Sequence, residues 1–256
     1  MSSAVRPQAV ARPGLRRGVD AVREVLLLAV LYVLYRAGRL VATGHEVQAR
    51  ANAGKIRELE AWLPLPSEAE LQRIAADVPH LLQVANVYYV SVHFPITIAF
   101  LLWGYLRRPR TEYVWARNLL VTVTGLALLI EFLFPLAPPR MFPQWSFVDT
   151  MTTIGPSAYD GAGATLANQY AAMPSLHIGW ALTLAVVVHR TGPLVLRVLT
   201  KLHATATIFV VVVTANHWWM DGIVVAALLV LAVSLVPRRP RAREGSASPP
   251  AHRHTP

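Results

Sequence analysis

Two short polar strings, Met173-Pro174-Ser175-Leu176-His177 and Asn216-His217-Trp218-Trp219-Met220-Asp221, each open a long apolar run, near 175–190 and 219–236. Apolar runs of this kind read as membrane-spanning helices. An imidazole or carboxylate at the edge of a hydrocarbon layer is costly, so its presence there implies a function.

Further apolar runs lie near 24–42, 80–106, 116–136 and 196–215. A span needs roughly 20 apolar residues, so the sequence predicts an all-α integral membrane protein with about six transmembrane helices. A hydrophobic content of 54% and a mean hydropathy of +0.42 exclude an ordinary soluble domain. The expected organisation is a tail over 1–23, a membrane domain over 24–236 and a second tail over 237–256. Residues 45–77 are amphipathic, with Ile56, Leu59, Trp62, Leu71 and Ile74 at helical spacing. Pro64 and Pro66 divide that segment into two short external helices, expected to lie on the outer surface. Residues 137–172, rich in Pro, Gly, Ser, Thr and Asn, read as a long external loop.

A formal net charge of +10 could suggest nucleic acid, but its distribution argues against such a partner. Basic residues gather in alternate connections: Arg6, Arg12, Arg16, Arg17 and Arg23; then Arg107, Arg108, Arg110 and Arg117; then Arg190, Arg197 and Lys201; then Arg238, Arg239, Arg241, Arg243 and Arg253. The positive-inside rule assigns these segments, and so both termini, to the cytoplasm. The remaining connections hold Arg50, Lys55, Arg57, Arg73 and Arg140, while Arg36 and Arg39 fall in the first span. The absence of cysteine excludes disulfides and thiolate metal sites. The first apolar run lacks a small-residue cleavage site and reads as a retained helix. A bias to arginine, alanine and valine suggests a GC-rich bacterial genome, hence a multi-pass protein of a bacterial cell membrane.

Under this topology Pro138-Pro139-Arg140, the string ending at His177 and the string ending at Asp221 fall on one extracytoplasmic face. Pro174 is expected to start the fourth span, leaving free N–H groups and the Ser175 hydroxyl to face an anion. His217 and Asp221, four residues apart, share a helix face. The carboxylate can fix the ring tautomer and leave the other nitrogen free to attack phosphorus. His177 would serve as general acid and then general base, and Arg140 would bind non-bridging oxygens.

These residues resemble the type 2 phosphatidic acid phosphatase superfamily, and more closely its inositolphosphotransferase branch, related to inositol phosphorylceramide synthases. The matching strings are Ala137-Pro138-Pro139-Arg140, Ala171 to His177 and Asn216 to Asp221. The resemblance implies a phosphohistidine at His217, support from Asp221, acid/base work by His177 and a lipid phosphate as substrate, without a cofactor. Two basic positions of the broad pattern are lost: Val210-Val211 stand where Ser-Arg is expected, and Leu133 where a lysine is. Arg36 and Arg39, at the outer end of the first span, are candidates to replace them as phosphate ligands.

Two other readings compete. His177, His217 and Asp221 could ligate zinc or non-haem iron, although no acidic cluster stands nearby. A non-enzymatic lipid transporter would also carry these spans. Of the other residues, His93 and His203 read as packed histidines, Trp218 and Trp219 as belt residues at the interface, and Asn86, Tyr88 and Tyr89 as interhelical hydrogen-bonding groups.

Overall fold

A computed structural model describes residues 22–24, 26–27, 29–30, 33, 45–158 and 169–238. The two expected tails, most of the first span, Arg36 and Arg39 lie outside the described residues. Those described between 22 and 33 are helical, and Glu24 among them pairs with Arg117 at 2.6 Å.

Among the described residues nine further α-helices follow: α1 (Glu46–Ala61), α2 (Glu68–Ala76), α3 (Leu81–Ser91), α4 (His93–Arg107), α5 (Arg110–Leu133), α6 (Thr150–Thr153), α7 (Leu176–Thr191), α8 (Leu194–Val213) and α9 (Trp219–Leu235). No strand occurs among the described residues; a lone parallel bridge joins Leu136 to Ala171. Among the described residues three helices are long and apolar enough to cross a membrane: α3–α4 taken together, α5 and α8. α7 and α9 have 16 and 17 residues. At ~1.5 Å per residue they reach about 24–26 Å, short of the ~30 Å hydrocarbon layer.

The second predicted span, 80–106, is broken at Val92. Pro95 supplies the cause, because its ring clashes with the carbonyl four residues earlier and it has no N–H to donate there. That break places His93 at the opening of α4.

α7 packs against α8, α5, α9 and α4, so it lies at the centre of the bundle. In lipid there is no hydrophobic drive between helices, and small residues allow the close approach that packing needs. Ala127, Ala181 and Ala232 are fully buried. Gly179 of α7 is closer still: a Cβ there would lie 2.5 Å from Val225 Cγ2 of α9. Outside the core, Leu102, Leu106, Leu129, Leu133, Leu202 and Val230 are exposed, an apolar surface suited to lipid.

The segments linking α4 to α5 and α7 to α8 meet the end of α9 at one pole of the bundle. Arg108 pairs with Glu112 at 2.7 Å and donates to the Thr191 carbonyl, while Arg238 reaches Glu112 at 3.4 Å and the Arg190 carbonyl at 3.3 Å. Three groups of basic residues that the sequence assigned to one side are thus brought together.

Helices α1 and α2 form where Pro64 and Pro66 divide the chain, as expected, and Ser67 caps α2 by accepting from Glu70 N–H. Their role differs from that of surface helices. α1 buries Ala49, Asn52, Ala53, Ile56 and Glu60, and α2 buries Glu68, Gln72 and Ala75. Leu59, Trp62 and Ile74 point away from the bundle. Polar groups dominate the seam because these helices satisfy loop and helix-end backbone: Asn52 donates to the Pro135 carbonyl, and Gln72 to those of Val148 and Val213.

Candidate active site

The three polar strings meet at the pole opposite the basic one. α8 ends at Thr214 with Ala215 in the left-handed region (φ 53°). Asn216 N–H returns to the Val211 carbonyl at 3.0 Å and Ala215 N–H to Val212 at 2.9 Å, the double bond pattern of a Schellman turn. Alanine in that conformation costs roughly 1–2 kcal/mol, offset here by full burial of the turn. The reversal delivers His217 to the start of α9.

His217 is 5% exposed. Its Nδ1 lies 2.8 Å from the Ala172 carbonyl and 3.1 Å from Asp221 Oδ2. Both partners are acceptors, so Nδ1 carries the proton and donates to them. Nε2 keeps its lone pair. Asp221 Oδ2 also accepts from Trp218 N–H at 2.9 Å, so the carboxylate caps α9 while it orients the ring. The Asp221 carbonyl accepts from Ser175 N–H at 3.3 Å, tying the start of α7 to that of α9.

Arg140 joins the same assembly. Its N–H donates to the Ala215 carbonyl at 2.8 Å, Nε to Asn216 Oδ1 at 3.2 Å, and Nη1 to Asp149 Oδ2 at 3.1 Å. The guanidinium is 6% exposed and braces the turn before His217. Asp149, which sequence reasoning left without a role, also caps α6 by accepting from Met151 and Thr152 N–H. An aspartate before Thr-Met-Thr-Thr is the signal that identifies it.

His177 stands in the first turn of α7, where unpaired N–H groups and the helix dipole favour an anion. Its ring centroid is 6.1 Å from that of His217 and 4.2 Å from Tyr89, on which it stacks. His93 lies on another side at 4.8 Å, with His203 beyond it at 5.7 Å. Tyr88 bonds His203 Nδ1 at 2.6 Å, one of the expected interhelical contacts. Asn86 makes another, donating to the Thr150 carbonyl at the start of α6 at 2.9 Å.

Two expectations need correction. Pro174 does not occupy the first helical position; Ser175 is the N-cap, and its fully buried hydroxyl accepts from Ile178 N–H at 3.4 Å. Serine satisfies a helix end in this way, its oxygen accepting from the backbone while its O–H can still donate. Trp218 is not a belt residue: it is 1% exposed and donates to the Ala137 carbonyl at 3.0 Å. Of the positions where basic residues are missing, Val211 is fully buried in the core and Leu133 is exposed at the end of α5.

Among the described residues no group of three or more histidine, aspartate and glutamate side chains is arranged to hold a metal ion. Asp221 spends one oxygen on His217 and on the helix end, which suits orientation of a ring better than shared metal ligation.

With the geometry described, comparison adds the family. Residues 54–235 match the model of the PAP2 superfamily, and the chain belongs to that superfamily. No curated protein and no solved structure matches the chain. Membership and the apolar helices together indicate a membrane protein of the lipid phosphatase and phosphotransferase type. The match begins inside α1 and ends with α9, so it takes in the second half of α1, all of α2 and the three strings.

Proposed function

We propose that this protein is a lipid phosphotransferase or phosphatase working through a covalent histidine intermediate. The observation that carries the reading is the engagement of His217 Nδ1 by Asp221 Oδ2 and the Ala172 carbonyl, which leaves Nε2 to attack. Nε2 forms a bond to the substrate phosphorus as the bond to the lipid alkoxide breaks. His177, protonated, gives its proton to that oxygen. It then takes a proton from the incoming water or alcohol, whose oxygen displaces Nε2 and regenerates the free ring. General acid–base assistance of this kind is worth roughly 10²–10⁴-fold.

Ser175 serves as a cap, and Arg140 acts first by bracing the turn. Arg36 and Arg39 stay candidate phosphate ligands on the strength of sequence alone. Six spans, both termini cytoplasmic and a site on the extracytoplasmic side form the proposed topology, supported by the gathering of basic connections at the opposite pole. Transfer to an alcohol, an inositolphosphotransferase-like activity, is the reading that the branch resemblance of the three strings favours. Hydrolysis by a plain lipid phosphate phosphatase is the second reading.

The test incubates the purified protein with radiolabelled phosphatidic acid, polyprenyl phosphate or phosphatidylinositol, with and without alcohols, in excess chelator. Labelled transfer product or free phosphate that vanadate suppresses supports the proposal. A protein that moves lipid but never breaks its phosphoester, with vanadate inert, is a transporter and overturns it.

A further inference from the structure

The first turn of α9 exposes successive N–H groups that have no partner within the helix. Three carboxyl groups from three helices take them. Asp221 Oδ2 accepts from Trp218 at 2.9 Å, Glu68 Oε1 of α2 from Trp219 at 3.2 Å, and Glu60 Oε1 of α1 from Met220 at 2.7 Å. Glu60 and Glu68 are 8% and 7% exposed, and among the described residues neither forms an ion pair.

We propose that the Glu60–Glu68 carboxyl pair is a positioning clamp for α9, holding Asp221 and His217 in register, and that it closes only while the pair retains a proton. The proposal rests on the reading of His217 and Asp221 as catalytic. Glu60 and Glu68 are hydrogen-bonded to each other. Two ionised carboxylates offer only acceptors, so one of them must supply an O–H. A helix N-terminus carries the equivalent of about half a positive charge, too little to hold three buried negative charges together. The charged groups facing Glu60 are Glu68 from α2 and Asp221 from α9, both acidic; Arg57 of α1 is turned onto the Trp145 ring at 4.8 Å. Burial first, and then Glu68, push the Glu60 carboxyl up to about 9, against a downward pull from Met220 N–H.

With the proton in place, one carboxyl donates to the other and each keeps an oxygen for the α9 backbone. Once it is lost, Glu60 and Glu68 repel across the seam, and the repulsion falls on the contact that fixes Trp219 and Met220. Helices α1 and α2 are then part of the site's machinery, which accounts for two acidic residues on their buried faces. It also predicts an alkaline limit to activity that belongs to neither catalytic histidine.

The experiment uses the full chain in detergent and two readouts. One is the intrinsic-rate-corrected hydrogen exchange of the Trp219 and Met220 amides between pH 7 and about 10. The other is turnover of dioctanoyl phosphatidic acid. Wild type should lose amide protection and turnover together near pH 9. Glu60→Gln, whose amide still donates to Glu68 and accepts from Met220, should shift both limbs upward. Glu60→Ala should lose protection already at neutral pH. If Glu60→Gln follows the wild-type exchange curve, the clamp is wrong, whatever the turnover. If protection behaves as stated but His217→Ala turns over as fast as wild type, the catalytic reading fails and the clamp alone survives.

Discussion

Asp221 Oδ2 lies 3.1 Å from His217 Nδ1 and accepts the Trp218 backbone N–H at 2.9 Å through the same oxygen. One atom therefore sets both the tautomer of the proposed nucleophile and the start of the helix that carries it. The two roles can be separated by substitution. Asp221→Asn keeps a side-chain oxygen for the cap but removes the charge that stabilises a ring becoming cationic. It should cut turnover by roughly 10³–10⁴-fold with little change in thermal stability. Asp221→Ala loses the cap as well, at about 0.5–2 kcal/mol, seen as a lower melting temperature in detergent. Equal turnover in Asp221→Asn and wild type would remove the carboxylate from the mechanism.

His177 should matter in proportion to the leaving group's need for a proton. His177→Ala is expected to lower turnover of an alkyl phosphate ester by roughly 10²–10⁴-fold. A p-nitrophenyl phosphate, whose phenolate departs unaided, should lose far less. Parallel losses on both substrates would assign His177 to structure or binding.

Gly179 sets the distance between the helices carrying the two histidines. A Cβ at that position meets Val225 Cγ2 at 2.5 Å and Val123 Cγ1 at 3.4 Å. Gly179→Ala should destabilise by about 1–3 kcal/mol, the usual range for overpacking, and reduce activity by displacing His177 from His217. Adding Val225→Ala makes room for the new methyl and should restore both. Melting curves and turnover of the single and double variants decide the point.

Stability should fall as pH rises, through Glu60. The folded protein keeps a proton on Glu60 up to about pH 9, whereas the unfolded chain releases it near the ordinary value of 4.5. The group's contribution is therefore complete below about pH 4.5 and declines until about pH 9, beyond which it is constant. Melting of wild type and Glu60→Gln across that window should show the wild-type advantage shrinking with pH. A constant difference would mean that Glu60 does not hold its proton.

Much of the fold is legible in the sequence. The apolar runs at 116–136, 175–190, 196–215 and 219–236 fall on α5, α7, α8 and α9 with boundaries shifted by a few residues, because hydrophobicity over such lengths leaves few alternatives. The i,i+4 spacing of His217 and Asp221 led directly to their contact, since helix geometry alone determines it. Pro95 announced the break at Val92, although the run was read through it. Glu60 was legible in principle: it lies four residues after Ile56, inside the buried stripe of α1. What it touches was not, because the partner is a backbone N–H 160 residues away. The approach of the His93 ring to His177 is hidden for the same reason; it depends on how α4 meets α7. Trp218 was misread where a local rule met tertiary packing, with the indole turned inward.

The central claim is attack by His217 Nε2 on phosphorus, and the most direct measurement is the location of the trapped phosphoryl group. Wild-type protein mixed with ³²P-labelled lipid phosphate and quenched within one turnover should carry label that is acid-labile and alkali-stable. Fragmentation should map it to His217, and His217→Ala should lack it. Label on any other residue, or undiminished turnover in His217→Ala, would contradict the account.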